Sequence, residues 1–280
     1  MKIAITGASG LVGTAAVEAL RAAGHSVTPI PRGRFELIAG HEAVVHLAGE
    51  SIAGRWTTAK KARIRSSRVD ETRRLSEVLA GKVLVCASAI GFYGDRGDEV
   101  LTEDRAMGRG FLAEVCRDWE GACSAERVVN LRFGVVLSGR GGALAKMLLP
   151  FRLGAGGVMG SGRQWWSWVA VEDAVGAIQM AVENEAFRGP VNVVAPQAVT
   201  NSEFTKTLGR VLRRPTIVPM PAFAARVVFG EMADELLLAS QRVQPARLVA
   251  AGFKFRLPDL DSALAHCIRG GEGVTLPHNG

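Results

Sequence analysis

The residues KIAIT (2–6) run without a break into GASGLVG (7–13) and then into TAAVEALRAAG (14–24). The first stretch is short, apolar and rich in β-branched side chains, as a buried strand requires. The last carries apolar residues at helical spacing and stops at Gly24. HSVTPI (25–30) supplies a second strand. Strand, glycine turn, helix and strand make a βαβ unit, which commits the chain to an α/β sheet with helices on its faces. Gly7, Gly10 and Gly13 have separate tasks in such a turn: a tight bend, close approach of backbone to a pyrophosphate, and close helix–strand packing. Ser9, Leu11 and Val12 complete the turn, and the free N–H groups of the helix N-terminus face the phosphate. A glycine pattern alone is weak evidence; the strand before it and the helix after it supply the context it needs.

The end of the second strand selects between dinucleotides. A carboxylate there suits the ribose hydroxyls of NAD, whereas arginine suits the 2′-phosphate of NADP. The chain has PRGR (31–34) and no carboxylate before Glu36, so Arg32 and Arg34 point to NADP(H). AVVHLAGE (43–50) reads as the next buried strand, with Leu47, Ala48 and Gly49 letting the backbone pass close to the adenine and ribose side. The 12 residues from Pro31 to Glu42 are too few for a helix and a strand. One strand fewer than a full half-sheet is expected at this edge. Residues 59–81 read as one helix with Leu75, Val78 and Leu79 inward and its arginines in solvent. Arg68 is the exception, placed to border the nicotinamide side.

With 34 Lys and Arg against 27 Asp and Glu the chain is basic, but the arginines are scattered, so nucleic acid is not the expected partner. The 4 cysteines and 5 histidines show no metal-ligand spacing. MKIAITGASG reads as a strand entering a turn rather than a signal peptide, and no window reaches the roughly 18 apolar residues of a membrane span. The expectation is a cytoplasmic protein, monomeric or homodimeric, without membrane contact.

KVLVCASAIGFYGD (82–95) is the fourth strand and the turn after it. The TGxxGxxG spacing at residues 6–13 is similar to that of extended short-chain dehydrogenase/reductases. In those proteins this later turn carries a serine pair followed by Tyr-Gly, and the next helix carries Tyr-x-x-x-Lys, two side chains on one helical face that move a proton and hold the ribose. Aligned on Tyr93-Gly94, Ser88 takes the first serine position and Ala89 the second. The matching helix is GFLAEVCRDWEGAC, and neither register of it supplies the pair. Tyr93 is the only tyrosine in the chain, and no lysine lies between Lys82 and Lys146.

HLAGESIAGRW, SAIGFYGD, FLAEVCRDWE, LRFGVVLSGRGGAL and GSGRQWWSWV together resemble one subgroup of these proteins, an uncharacterised division-inhibitor-like epimerase family with a DUF1731-type C-terminal region. The resemblance covers nearly the whole chain. It implies a Rossmann-type doubly wound parallel sheet with a small C-terminal α+β substrate-side domain, a dinucleotide site, and the same missing Tyr-x-x-x-Lys. The expected division is residues 1–150 for the Rossmann domain, with 165–195 returning to it. Residues 151–164 and 196–270 form the smaller domain, and 271–280 a flexible tail.

In the C-terminal half, RVVNLRFGVVLS (127–138) reads as one strand, Asp173 as a helix cap, Asn201 or Ser202 as the cap of the next helix, and the stretch around Phe253 as a closing strand. Sugar-nucleotide enzymes of the extended group have Gln-x-Arg where this chain has Gln164 and Trp166, so the usual phosphate clamp is missing and Arg163 is its nearest substitute. Of Trp165, Trp166 and Trp168, alternate members are expected to pack while one lines the cleft, with Trp166 and Arg163 as substrate candidates.

Without the Tyr–Lys pair, proton transfer falls to Glu50, Ser88 or Tyr93. Glu50 follows a strand end, where open α/β sheets bind ligands, and desolvation would raise its pKa. Arg55 and Trp56 are candidates to anchor a polar substrate. Three readings compete: an atypical NADP(H)-dependent oxidoreductase or epimerase on a small polar substrate, a non-catalytic NADP(H) sensor, and an interaction protein with a vestigial nucleotide fold. Convergence of Glu50, Ser88 and Tyr93 on a cleft favours the first. A closed cleft with an exposed apolar patch favours the second.

Overall fold

The computed structural model describes residues 1–269, and the expected tail at 271–280 lies outside the described residues. Its centre is a sheet of six parallel strands: β1 (Lys2–Thr6), β2 (Ser26–Ile30), β3 (Ala43–His46), β4 (Val83–Ala89), β6 (Arg127–Phe133) and β10 (Gly189–Val193). Their order is β10-β6-β4-β3-β1-β2, and each neighbouring pair is parallel. The order reverses between β1 and β3, where a doubly wound sheet opens its binding crevice. Three small pairs lie outside the sheet. They are β5 (Val100–Leu101) with β12 (Arg242–Val243), β7 (Val135–Leu137) with β9 (Trp168–Ala170), and β8 (Trp165–Trp166) with β11 (Val199–Thr200).

Helices α1 (Leu11–Ala22) and α6 (Val171–Glu183) cover one face of the sheet through Ala16, Leu20, Ala174 and Ile178. Helices α2 (Thr58–Ser66), α3 (Val69–Ser76) and α4 (Phe111–Gly121) lie on the other side of the chain's first half, with Leu75 and Trp119 in the core of that face. Beyond the sheet, α5 (Gly142–Arg152), α7 (Asn201–Leu212) and α10 (Leu260–Ile268) share a second core with Trp166 and Trp168. Helices α8 (Ala222–Phe229) and α9 (Ala246–Ala250) complete the described chain. No helix among the described residues is long and apolar enough to cross a membrane.

The edge beyond β2 is simplified as expected. A 3₁₀ turn at Phe35–Ile38 joins β2 to β3, and β2 is the edge strand. Several local readings are corrected. Residues 59–81 form two helices, broken at Ser67–Arg68, and Val78 lies beyond the second with 41% of its surface exposed. The strand read over 127–138 breaks at Gly134, where an added Cβ would come within 2.6 Å of the Ser167 carbonyl oxygen. No strand forms around Phe253. Helix α7 is capped by Thr200 and Glu203 in a reciprocal capping box, not by Asn201 or Ser202, because the Asn201 carboxamide oxygen accepts from Met159 N–H instead.

Asp173 does not cap α6. Its buried carboxylate accepts from the N–H groups of Arg256 (2.7 Å) and Leu257 (3.1 Å), tying the C-terminal stretch to the sheet's helix layer. Asp173→Ala leaves both donors unpaired and should cost about 2–4 kcal/mol, with faster amide exchange over residues 253–260. Unchanged exchange there would contradict this role.

Candidate functional site

The chain leaves β1 at Thr6 and turns through Gly7, whose φ of 71° lies in the left-handed region. A Cβ on Gly7 would sit 2.7 Å from Ala48 N, and one on Gly13 would sit 2.1 Å from the Gly7 carbonyl oxygen. Only glycine fits either place, so β1, α1 and the end of β3 meet backbone to backbone. Gly10 is the N-cap of α1, and no side chain caps it. The first N–H groups of the helix, those of Leu11 and Val12 among them, are therefore left to a ligand. Leu11 also packs against Gly141 and Gly142, and Val12 against the core.

From this turn a cavity of about 730 Å³ extends to the end of β2 and across to α2. Gly7, Ser9 and Gly10 form one wall, Leu47, Ala48 and Gly49 another, and Arg32, Phe35 and Arg63 the far end. The two arginines approach from different elements. Arg34 is not on the lining; Glu36, at the start of the 3₁₀ turn, holds its guanidinium in an exposed ion pair. Of the expected pair, Arg32 lies on the lining and Arg34 does not, and Arg63 joins Arg32 there. Sequence reading missed Arg63 by treating the arginines of its helix as one solvated face. The donor set fits a dinucleotide with an additional phosphate: open N–H groups where a pyrophosphate would rest, and guanidiniums where a second anion would rest.

Glu50 lines the mouth of the cavity. Its carboxylate takes a 2.7 Å hydrogen bond from Lys60 and lies 4.0 Å from Arg63. The Lys60 ammonium holds the carboxyl below the usual carboxylate range, and nearby Arg63 and Arg32 add to the effect. The expectation of a desolvated acid with a raised pKa is corrected: Glu50 is an ionised group in a basic setting. Arg68 supports this loop from beneath, donating to the Glu50 carbonyl at 3.0 Å and lying over the Trp119 ring. It is a positioning residue and does not line the cavity.

Ser88 and Tyr93 are not on that lining either. Both are buried in one polar network. Ser88 Oγ donates to Glu120 Oε1 at 2.7 Å, and Glu120 accepts from Arg132 Nε at 2.7 Å and Nη2 at 2.8 Å. Arg132 Nη1 donates to Tyr93 Oη at 2.9 Å, and that hydroxyl donates to Asn192 Oδ1 at 2.8 Å. Burial raises the Tyr93 pKa. The catalytic reading of Tyr93 is corrected: its hydroxyl is occupied by Arg132 and Asn192, so it faces no cleft. On α4, Leu112 packs on Gly91, and burial pushes the Cys116 thiol up to about 12. The Glu235 carboxylate accepts from Phe111 N–H and Leu112 N–H at the start of that helix.

The proposed substrate anchors are dispersed. Arg55 donates to the Val227 carbonyl at 3.2 Å. Trp56 is buried against Phe111, and its indole N–H is satisfied by the Ile52 carbonyl. Trp166 is buried against Phe204 and bonded to the Leu237 carbonyl, while Arg163 stands exposed on the turn before it. Trp56 and Trp166 therefore pack; neither opens onto the cavity. His46, also not anticipated, lies on the lining as well: at the end of β3, it is fully buried, with Nδ1 2.6 Å from Thr6 Oγ1.

The profile of the NAD dependent epimerase/dehydratase family matches residues 3–194, and that of a domain of unknown function, DUF1731, matches residues 220–267. The epimerase family protein Mb2239 of Mycobacterium bovis is 43% identical over 290 residues, covering 94% of this chain and 96% of that protein. The epimerase family protein YfhF of Bacillus subtilis is 37% identical over 299 residues, covering 96% and 98%. The crystal structure of human epimerase family protein SDR39U1 with NADPH superposes with a TM-score of 0.90 at 32% identity, covering 96% of this chain and 99% of that one.

Two measurements check the site's internal chemistry. Tyr93→Phe strands Arg132 and Asn192 and should lower stability by about 1–3 kcal/mol in urea unfolding; an unchanged midpoint would contradict the network. Burial pushes the His46 imidazole down to about 4. The unfolded chain therefore takes up a proton at this residue near pH 6.5 while the folded one does not, and stability is lost as pH falls through that window. Wild type should lose about 2 kcal/mol more than His46→Gln between pH 7.5 and pH 5; equal losses would refute it.

Proposed function

The chain belongs to the NAD dependent epimerase/dehydratase family, and on that premise we propose that it binds NADP(H) and works through the bound dinucleotide without a Tyr–Lys proton relay. The observation that carries this reading is the single cavity that joins the glycine cradle to Arg32 and Arg63. Gly7 and Gly13 bring the backbone to the pyrophosphate, the uncapped start of α1 donates to it, and the two guanidiniums take the 2′-phosphate. The human relative was crystallised with NADPH, which supports the same choice of dinucleotide. When bound, the nicotinamide supplies hydride-transfer chemistry.

As an atypical oxidoreductase or epimerase acting on a small polar substrate, the protein would have to manage protons differently from its family. Ser88 and Tyr93 already spend their hydrogens on Glu120 and Asn192. Glu50, ionised beside Lys60, is suited to accept a proton or steady a positive charge, not to act as an acid. The alternative is a non-catalytic NADP(H) sensor. Two observations favour it: the closed Ser88–Tyr93 network, and the exposed apolar side chains of the C-terminal region, where Ile217, Phe223 and Val227 are 79%, 70% and 68% exposed.

Titration with NADPH and NADH tests the binding. Arg32→Ala and Arg63→Ala should each weaken NADPH by about tenfold or more and leave NADH nearly unchanged, whereas Arg34→Ala should do little. Equal affinity for the two nucleotides would sink the assignment. Oxidation of NADPH by a panel of small carbonyl compounds, lost in Glu50→Gln, supports the enzyme. Binding without turnover, accompanied by altered amide exchange over residues 217–238, supports the sensor.

A further inference from the structure

Helix α8 reads AFAARVVF, apolar at every position but Arg226, yet Ala225 is its only buried residue. A helix that is apolar nearly all round belongs in a core or against lipid, and most of this one faces solvent. Phe223 and Val227, one turn apart, share an exposed face, with Val228 exposed beside them. The chain leading into the helix continues the patch through exposed Ile217 and Val218. It is held in place by Met220, whose N–H donates to the Val158 carbonyl and whose carbonyl accepts from Gly160 N–H, both at 2.9 Å. Gly157 lies against the Val218 carbonyl, so the end of α5, with Leu149 and Leu153 exposed, borders the same stretch. A run of exposed apolar side chains drawn from neighbouring elements marks a contact surface.

Charge narrows what covers it. From Phe204 to Gly230 the chain has no Asp or Glu, and it carries Lys206, Arg210, Arg213, Arg214 and Arg226. Arg210 and Arg226 are paired with Asp261 and Asp234, and Glu231, just past the end of α8, with Lys61. Arg213, Arg214 and, on α5, Arg152 are exposed and have no ion-pair partner among the described residues. A second copy seated on this face would set those guanidiniums against their own kind. The arrangement suits a surface that is anionic outside and apolar within, since apolar side chains stand out from a helix with cations beside them to meet lipid headgroups. We propose that α8 and the stretch 213–221 dock on an anionic phospholipid bilayer, with Ile217, Phe223 and Val227 entering the headgroup layer while Arg213 and Arg214 bind lipid phosphates. The lack of a span, on which the expectation of no membrane contact rested, leaves such a surface contact open. The proposal stands independently of the dinucleotide reading.

The test is sedimentation of the full-length protein with vesicles of phosphatidylcholine alone or of phosphatidylcholine mixed with phosphatidylglycerol. Wild type should partition onto the mixed vesicles about tenfold or more better than onto the neutral ones, and less as salt is added. The double variant Phe223→Ser/Val227→Ser should lower that partition about tenfold or more, and Arg213→Ala and Arg214→Ala about fivefold each. Arg105→Ala/Lys254→Ala, which removes exposed charges from other segments, should leave it nearly unchanged. Amide exchange over residues 217–228 should slow on the mixed vesicles. Absence of partition, or equal partition onto both kinds of vesicle, would overturn the proposal. So would a loss as large in the Arg105/Lys254 variant, which would assign the binding to the net charge of the whole chain. Slower exchange over 217–228 on raising the protein concentration without lipid would overturn it in favour of a second copy.

Discussion

The close approach of Gly7 to the backbone of Leu47 and Ala48 is the contact on which the rest of the site depends. A single added carbon would come within 2.7 Å of Ala48 N, so the turn after β1 and the end of β3 meet only because no side chain intervenes. Gly13 then lets α1 settle on Gly7 itself. With these backbones in register, the free start of α1, the chain at 47–50 and the arginines of the β2 loop and α2 come to face one cavity. Larger residues at either glycine would displace the helix before they reached any ligand.

The second organising element is electrostatic. Arg132 rises from the sheet at β6 and is bound at both ends, by Glu120 on one side and Tyr93 on the other, with the Phe92 ring 3.5 Å from its guanidinium. A buried charge of this kind is tolerated only when its hydrogen bonds are met. Glu120 and Tyr93 meet them, and are held in turn by Ser88 and Asn192. The hydroxyls of Ser88 and Tyr93 serve to hold the end of β4 and the loop after it. Glu235 adds a clasp from the C-terminal region, its carboxylate resting on the first N–H groups of α4. This side of the chain is filled by packing and by internal hydrogen bonds.

Much of this was legible in residue order, for physical reasons. The βαβ unit announces itself because strand, glycine turn and helix are contiguous, and the missing edge strand follows from the 12 residues between Pro31 and Glu42. Arg32 could be placed because it follows its strand directly. Arg63 could not, since its approach depends on where α2 crosses the sheet end, which no local pattern encodes. The same holds for Glu50: its neighbour Lys60 is ten residues on, and only the fold shows that the pair meets at 2.7 Å and reverses the expected pKa shift. Tyr93 was conspicuous as the sole tyrosine, but its partners Arg132 and Asn192 come from β6 and β10, far along the chain. Asp173 was misjudged locally because a carboxylate near a helix start looks alike whether it caps that helix or ties down a distant segment, and Asn201 or Ser202 was read as the cap that the neighbouring Thr200 supplies.

The most direct test of the account is the ratio of affinities of the wild-type protein for 2′,5′-ADP and 5′-ADP, measured by calorimetry at low ionic strength. The two ligands differ only in the phosphate that Arg32 and Arg63 are held to receive. A ratio of about tenfold or more in favour of 2′,5′-ADP, shrinking as salt is added, is what this geometry predicts. Equal affinities would mean that the arginines at the end of the cavity do not select the cofactor, and the central claim would fail.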